Sequence, residues 1–513
     1  MSGGRGGGKA IVIGGGHNGL TCATLLARGG VAVTLVEARD VLGGLCAGET
    51  FAEGFVSPGF LHETSLVRPH VVRELSLDVR WRDAPKVLAA APGEKRHVII
   101  DRAAGRLDGD ISAADQRAHE GLRRFVGHVT KLITQVIDSA PPEVFSPGLS
   151  GLLRLGRLGL SLRRLGSDML ELLRSAPMCV ADLLEDRFED ALLKAALALP
   201  AVAGSFAGPW APGTATNLLF YEVLAGREIE GGAPALVAAL ERAASAAGVT
   251  IERGARVERI RARDGRVQGV TLADGRELDA EVVAASCDPK TALTQLLARG
   301  QLSRRMHQAL CNVRTRGTTA KVCLALSAPL EVEGVKAPVE ALRVGETLDD
   351  IERAFDAVKY GAFSERPALD VRVVPVSGGE GGGGGDGNKH VASLLVHFAA
   401  REREGGWDDD AREALGDAAV ARLCEVAPGV RDSIVAREVL GPADVEARYG
   451  LAGGQIHHGE HALDQLHLMR PTLLCSRYAT PIAGLYLAGS GSHPGGNITC
   501  GPGYLAGKAI LSR

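Results

Sequence analysis

The apolar run Ala10–Ile13 is short and unbroken, the pattern of a strand buried on both faces of a parallel sheet. It passes into Gly14-Gly-Gly16-His-Asn-Gly19. An Ala- and Leu-rich stretch follows, with Leu20, Ala23, Leu25 and Leu26 on it, and Gly29-Gly30 stops it. Val31–Val36 is a second apolar run, ended by Glu37, so this opening predicts a complete strand–helix–strand unit. Far downstream, Leu236, Val237, Leu240, Ala243, Ala244 and Ala247 recur at helical spacing, with Pro234 early and Gly248 after the end. Short strands are expected around Ile251, over Val257–Ile260 and Val267–Leu272, and at Leu278, joined by Asp264-Gly265 and Asp274-Gly275 turns. Glu281–Ala285, ended by Ser286-Cys-Asp-Pro289, and Gly484–Ala488 are two further apolar strands. The second runs into a Gly-rich turn and a short terminal helix.

Between these blocks the pattern changes. Residues 110–225 read as helical, with Leu and Arg mixed. Residues 301–455 read as mixed, with strands over Lys321–Leu326 and Val391–Phe398. Gly378–Gly387 resembles a phosphate loop in composition, but no helix follows it, so a flexible hairpin tip is expected there.

Composition narrows the function. Lys plus Arg is 58 against 61 Asp plus Glu, a net charge of −3, so there is no basic field to attract nucleic acid. With 45% hydrophobic and 23% charged residues the chain is ordinary globular protein rather than disordered. Nine Cys without a C-x-x-C argue against a disulfide framework, a zinc site or a dithiol redox pair. Reduced thiols in a cytoplasmic protein, and no metal, are the expectation. The first nine residues carry no apolar segment of a signal peptide. The charge-free stretches 195–221 and 478–507 are broken by Pro and Gly, and neither reads as a transmembrane span.

The chemistry begins at the first turn. Gly14-x-Gly16-x-x-Gly19 follows a strand and opens a helix: Gly14 allows the tight turn, Gly16 lets backbone approach a pyrophosphate, and Gly19 lets helix and strand pack closely. The helix N-terminus favours the phosphates, and Glu37, 18 residues beyond Gly19, suits the adenosine ribose hydroxyls. Dinucleotide binding follows from the whole unit rather than from the glycines alone.

Three further features carry a resemblance. They are Glu37-x5-Gly43-Gly44, the hairpin block 249–289, and Gly484-Leu-Tyr-Leu-Ala-Gly-Ser-Gly-Ser-His-Pro-Gly-Gly496. With the first turn, they resemble the phytoene dehydrogenase-like FAD oxidoreductases. Gly453-Gly-Gln-Ile-His-His458, Leu463-Asp-Gln-Leu466 and Arg470-Pro471 look like one subfamily, pyridine nucleotide-disulfide oxidoreductase domain-containing protein 2 and its bacterial relatives. The resemblance covers nearly the whole chain. It implies an α/β fold: a glutathione-reductase-type, Rossmann-like FAD-binding domain from residues 1–84, 226–300 and 455–513. A mixed α+β substrate or cap domain, 85–225 and 301–454, is inserted into it. It also implies FAD, with Gly14, Gly16 and Gly19 at the pyrophosphate and Glu37 at the ribose. Arg39, Gly43 and Gly44 would line the path to the flavin, and Val257 would meet the adenine end through its backbone. Gly489, Ser490, Gly495 and Gly496 would pass the ribityl chain and isoalloxazine, with the helix after Gly503 close to flavin O2. No second nucleotide fold is legible, so stable binding of a nicotinamide cofactor is not expected.

The implied activity is hydride transfer to flavin from a lipophilic polyene or isoprenoid-like substrate, with oxygen or a quinone as electron acceptor. Alternatives are a flavin amine oxidase and an FAD-bearing interaction protein with little turnover. Lys321 lies in a strand context similar to that of the flavin amine oxidases, whose lysine reaches flavin N5 through a water; the alternative is an exposed strand lysine. His62 and His493 fall where the resemblance places the flavin, as acid–base groups, covalent anchors or structural hydrogen-bonding histidines. Cys46 and Cys500 read as small buried residues. Leu149–Gly166 holds eight Leu, Arg154, Arg157, Arg163 and Arg164, and no acid. It suits contact with a membrane surface or the mouth of a lipophilic tunnel, and equally a cap helix with its arginines in solvent.

Overall fold

The computed structural model describes residues 8–143, 148–376 and 388–512; the expected Gly378–Gly387 hairpin tip lies outside them. The chain opens with β1 (Lys9–Ile13), α1 (His17–Arg28) and β2 (Ala32–Val36). It then leaves this unit for β3 (Val87–Ala90), β4 (His97–Asp101) and β5 (Arg106–Gly109). A helical arm follows: α2 (Ala113–Ile137), α3 (Leu149–Arg163), α4 (Ser167–Ser175), α5 (Ala191–Val202) and α6 (Thr214–Leu224). The chain returns through α7 (Gly232–Ala246), β6 (Thr250–Glu252) and β7 (Val282–Ala285). It departs again for β8 (Thr319–Leu326), β9 (Ala341–Val344), α8 (Leu348–Lys359), β10 (Phe363–Pro375), β11 (His390–Ala399), α9 (Asp409–Cys424) and β12 (Ile434–Leu440). β13 (Leu485–Leu487) and α10 (Gly501–Leu511) bring it back once more.

Two sheets result. The first is five-stranded and parallel throughout, in the order β6-β2-β1-β7-β13, with Ala10–Ile13 in register against both Val33–Val36 and Val282–Ala285. Its middle strands are apolar on both faces because both faces are covered. α1 packs against α7 and α10 on one side. This α/β architecture is the expected class.

The second sheet has eight strands, in the order β12-β8-β11-β10-β9-β3-β4-β5, and all its neighbours are antiparallel except β3 and β9. Side chains alternate across a strand, so each strand contributes to two faces. Val322, Leu342, Val371 and Leu394 point to one face and bury themselves with Leu415, Ala419 and Leu423 of α9. The opposite face carries Thr319 and Lys321, Arg343, Asp370 and Arg372, and Ser393 and His397. That polar face is nonetheless buried. It is turned toward Phe60–Glu63, which crosses it.

Candidate functional site

The first turn is built as its glycines require, but for different reasons. Gly14 has φ +97°, open only to glycine without strain. A Cβ on Gly19 would stand 1.9 Å from the Gly14 carbonyl oxygen, and one on Gly503 would stand 2.0 Å from the Asn18 carbonyl oxygen. These two are glycine so that α1 can lie on the turn and α10 on α1. Gly16 has no such reason: its nearest neighbour would be the Gly43 carbonyl oxygen at 3.9 Å. Room kept free at Gly16, over an α1 N-terminus with no side-chain cap and no acid in its first turn, fits a pyrophosphate.

Gly43 and Gly44, at φ +110° and +56°, fold the second Gly pair under the first turn, with the Gly43 N–H donating to Gly15 O at 2.8 Å. Glu37 is buried at the end of β2. Its Oε2 accepts from Gly15 N–H at 2.6 Å and its Oε1 from Arg39 N–H at 2.9 Å. Each carboxylate oxygen retains a lone pair for a ribose hydroxyl. Arg39 pairs with Glu49 at 2.6 Å and lies over the Tyr449 ring. Val257 starts the strand two residues after Ala255, whose N–H donates to Glu37 O.

Asn18, which the sequence reading passed over, ties this turn to the C-terminal segment. Its Nδ2 donates to Ser490 Oγ at 3.0 Å, and its Oδ1 accepts from Gly503 N–H at 3.3 Å. Gly489 packs on Ser286, where a Cβ would meet the Ser286 carbonyl oxygen at 2.3 Å. Hydrogen bonds thus tie the first turn to Glu37, Gly43, Ser490 and Gly503.

Lys321 is not the exposed strand lysine of the alternative reading: it is 2% exposed. Its Nζ donates to Phe60 O at 2.8 Å and lies 3.3 Å from His62 Nδ1. Burial pulls its pKa down to about 8, so it is still largely an ammonium at neutral pH. Burial and the neighbouring Lys321 hold the His62 pKa well below its usual value, leaving the ring neutral. An ammonium has no lone pair to offer, so Nδ1 is the acceptor toward Lys321 and the ring proton is on Nε2, which faces Asp370 Oδ1 at 3.9 Å. Ser393 Oγ is 3.1 Å from the same Nδ1.

A buried charge network continues from there. Asp370 faces Arg343 at 3.6 Å, and its pKa is raised by burial. Arg343 donates to Tyr221 OH, Tyr221 to Glu63, and Arg372 to Glu228. Deleting one member would leave its partner charged and uncompensated, a loss of about 3–5 kcal/mol.

His493 is placed elsewhere. Its Nε2 bonds the Val136 carbonyl oxygen of α2 at 2.9 Å, and its ring meets His467 edge-on at 5.1 Å. It fastens the Gly-rich turn to the helical arm, the structural alternative of the sequence reading. Cys46 and Cys500 are buried thiols, with Cys46 Sγ 3.4 Å from His17 Nδ1.

Several residues here received no role from the sequence, although His457 and Arg470 belong to the motifs that carried the resemblance. His457 and His461 stack at 4.2 Å with nearly parallel rings. Their ring nitrogens accept from Asn497 N–H and Gly496 N–H. Arg470 is 1% exposed, and its guanidinium donates only to backbone carbonyls, those of His457, Gly459, Glu460, Gln465 and Ser490. His397, cross-strand from Thr319, finds no partner for either ring nitrogen among the described residues, nor does Thr319 Oγ1. The available signal was polar residues at every second position of otherwise apolar strands. Among the described residues no cluster of three or more His, Cys, Asp or Glu could hold a metal ion.

The chain as a whole is similar to known proteins. The family described as flavin containing amine oxidoreductase matches residues 19–509. The chain is 29% identical to mouse pyridine nucleotide-disulfide oxidoreductase domain-containing protein 2, over 98% of this chain and 93% of that one. It is 26% identical to the lycopene-forming phytoene desaturase of Pseudescherichia vulneris, over 98% of both. Among solved structures, putrescine oxidase bound to putrescine superposes with a TM-score of 0.61 at 16% identity, over 98% of both chains, a likeness of fold.

Proposed function

The chain belongs to the flavin containing amine oxidoreductases and is an FAD-dependent oxidoreductase, and within that class we propose a dehydrogenase or desaturase of a lipophilic substrate. When bound, FAD supplies the hydride acceptor. The protein supplies orientation, a dry compartment and fixed charge.

One observation carries the substrate class. A small cavity of about 50 Å³ between α2, α5 and α6 is lined mainly by apolar side chains such as Leu66, Ile137, Phe220 and Leu224, with Asn217, Tyr221 and His461 among them, and it ends against Gly496 and Asn497 of the flavin-type turn. A mostly apolar approach to that turn, which would have to widen for a substrate to enter, supports a polyene or isoprenoid-like molecule oxidised from C–C to C=C. In this reading Gly14, Gly16, Gly19, Glu37, Arg39, Gly43, Gly44 and Val257 hold the adenosine half and pyrophosphate of FAD. Gly489, Ser490, Gly495, Gly496 and Gly503 hold the flavin half. The segments 1–84, 226–300 and 455–513 act as the cofactor domain, and 85–225 with 301–454 as the cap.

Lys321 keeps a positive charge in the compartment, and His62 orients it by accepting a hydrogen bond from it. Lys321 stabilises negative charge developing on the acceptor, oxygen or a quinone, during reoxidation. A second reading, amine oxidation, is favoured by this same Lys321–His62–Asp370 floor, which is polar where a hydrocarbon site needs no polar groups.

Anaerobic mixing of the FAD-loaded protein with candidate polyenes and with candidate amines separates the two. Bleaching of the flavin band by polyenes alone is expected. Bleaching by amines alone would replace the first reading with the second, and bleaching by neither would point to a flavoprotein with a binding role.

A further inference from the structure

Helix α3 (Leu149–Arg163) is apolar on both of its long faces. Leu158 and one side of Leu155, which is itself 37% exposed, line with Val136, Ala140, Pro142 and His467 a cavity of about 230 Å³ beneath the helix. On the opposite face Leu149, Leu152, Leu153 and Leu160 are 77%, 55%, 57% and 48% exposed. Their spacing of three, four and seven residues places them on one side of the helix. α4 (Ser167–Ser175) adds Leu170 and Leu173, 66% and 56% exposed. Seven of the sixteen large apolar side chains exposed among the described residues therefore fall within residues 149–173. A helix on the surface of a globular protein carries one apolar stripe, toward the core. A second stripe facing outward marks a surface that something covers.

Charge says what covers it. Arg157, Arg163 and Arg164 are exposed around the outward leucines, and no Asp or Glu occurs between Gly148 and Ser167. The nearest acids are already engaged, Asp168 with His128, and Glu171 with Arg174 and Arg187. The surface is leucine-rich, its α3 part carries only basic charge and the two acids of α4 are already paired, so its complement is a soft apolar layer beneath a sheet of anions. We propose that α3 and α4 rest on the surface of a bilayer containing anionic phospholipid, with the outward leucines among the acyl chains and the arginines at the phosphates.

The cavity beneath α3 continues the patch inward. It reaches His467, which packs against His493 of the Gly-rich turn. Docking would thus present the bilayer to the side of the protein from which a lipophilic substrate reaches the flavin. That second step rests on the proposed substrate class; the docking does not, and it is tested without substrate.

The test is sedimentation of the full-length, FAD-loaded protein with vesicles of phosphatidylcholine alone or with a third of phosphatidylglycerol. Binding to the anionic vesicles is expected, with little to the neutral ones and a steep loss at high salt. Leu153→Glu with Leu160→Glu should weaken it by about tenfold or more, and Arg157→Glu with Arg163→Glu should reduce it comparably. These side chains are exposed, so flavin absorbance and circular dichroism should stay as in the parent. No binding to anionic vesicles, or binding that the four substitutions leave unchanged, would overturn the proposal. So would a parent dimer that the leucine substitutions convert to monomer, because a second copy would then be what covers the patch.

Discussion

The ammonium of Lys321 is held in a place that disfavours it, between a carbonyl and a neutral imidazole. Its depressed pKa of about 8 means that the positive charge is present below that pH and lost above it. Lys321→Met keeps the length and removes the charge, so substrate should still bleach the flavin at close to the parent rate. Reoxidation by oxygen should slow by about 10²-fold. Stopped-flow traces of the two half-reactions separate these outcomes, and the parent's reoxidation rate should fall as pH rises through about 8. Reoxidation at the parent rate would reduce Lys321 to a structural strand residue. The buried histidines make a second, independent claim. Burial holds His17 and His397 at pKa about 4, and His457, His458 and His493 at about 3. Below pH 6.5 the unfolded chain takes up protons that these folded rings refuse, so stability falls with pH from there toward 4. Each ring contributes up to about 3 kcal/mol. The melting temperature should therefore drop steeply between pH 6.5 and 4, and His397→Phe should flatten part of the slope.

At the scale of elements, the glycines of the first turn divide into two kinds that a sequence pattern cannot tell apart. Gly16→Val should leave a folded protein with unchanged circular dichroism that no longer retains FAD, since nothing of the protein lies close to its Cβ. Gly19→Val should fail to fold, since its Cβ would overlap the Gly14 carbonyl. Equal loss of fold in both variants would remove the case that Gly16 is reserved for a ligand. The β1–α1–β2 unit was legible because an apolar run, a glycine turn and a helix lie within some thirty consecutive residues, where local rules apply. The floor of the site was not. Lys321, Asp370, Arg343 and Ser393 share a face only because β8, β9, β10 and β11 pair across long separations. Nor could the sequence say that this polar face is the buried one, because the usual alternation puts polar residues in solvent. His62 could be placed near the flavin by resemblance, but its contact with Lys321 depends on how Phe60–Glu63 crosses that sheet. Asn18 was missed because it works through Ser490 and Gly503, far away in the chain, and Arg470 was quoted without a role because its partners are backbone carbonyls, which no side-chain pattern marks.

At the scale of the molecule, the chain enters the parallel sheet three times, and the last visit supplies its edge strand and a covering helix. Deleting residues 478–513 should therefore remove more than a tail: β7 loses its neighbour β13, and α1 loses α10. The shortened protein should be recovered without FAD and largely aggregated, by absorbance and size-exclusion chromatography; a soluble, yellow truncation would contradict this dependence. The same order of strands sets a timetable for synthesis. A ribosome that has made β2 must add 449 more residues before reaching Leu485, since 485 − 36 = 449. At about 5–20 residues per second that takes roughly 20–90 s. Within that interval the free side of β1 first waits for β7 and the free side of β7 then waits for β13, so one edge of the growing sheet stays open until the end. In the proposed reading, which puts the flavin half of FAD on residues 489–503, the cofactor is captured only after synthesis, and until then the open edge of the half-made sheet is exposed to wrong pairing.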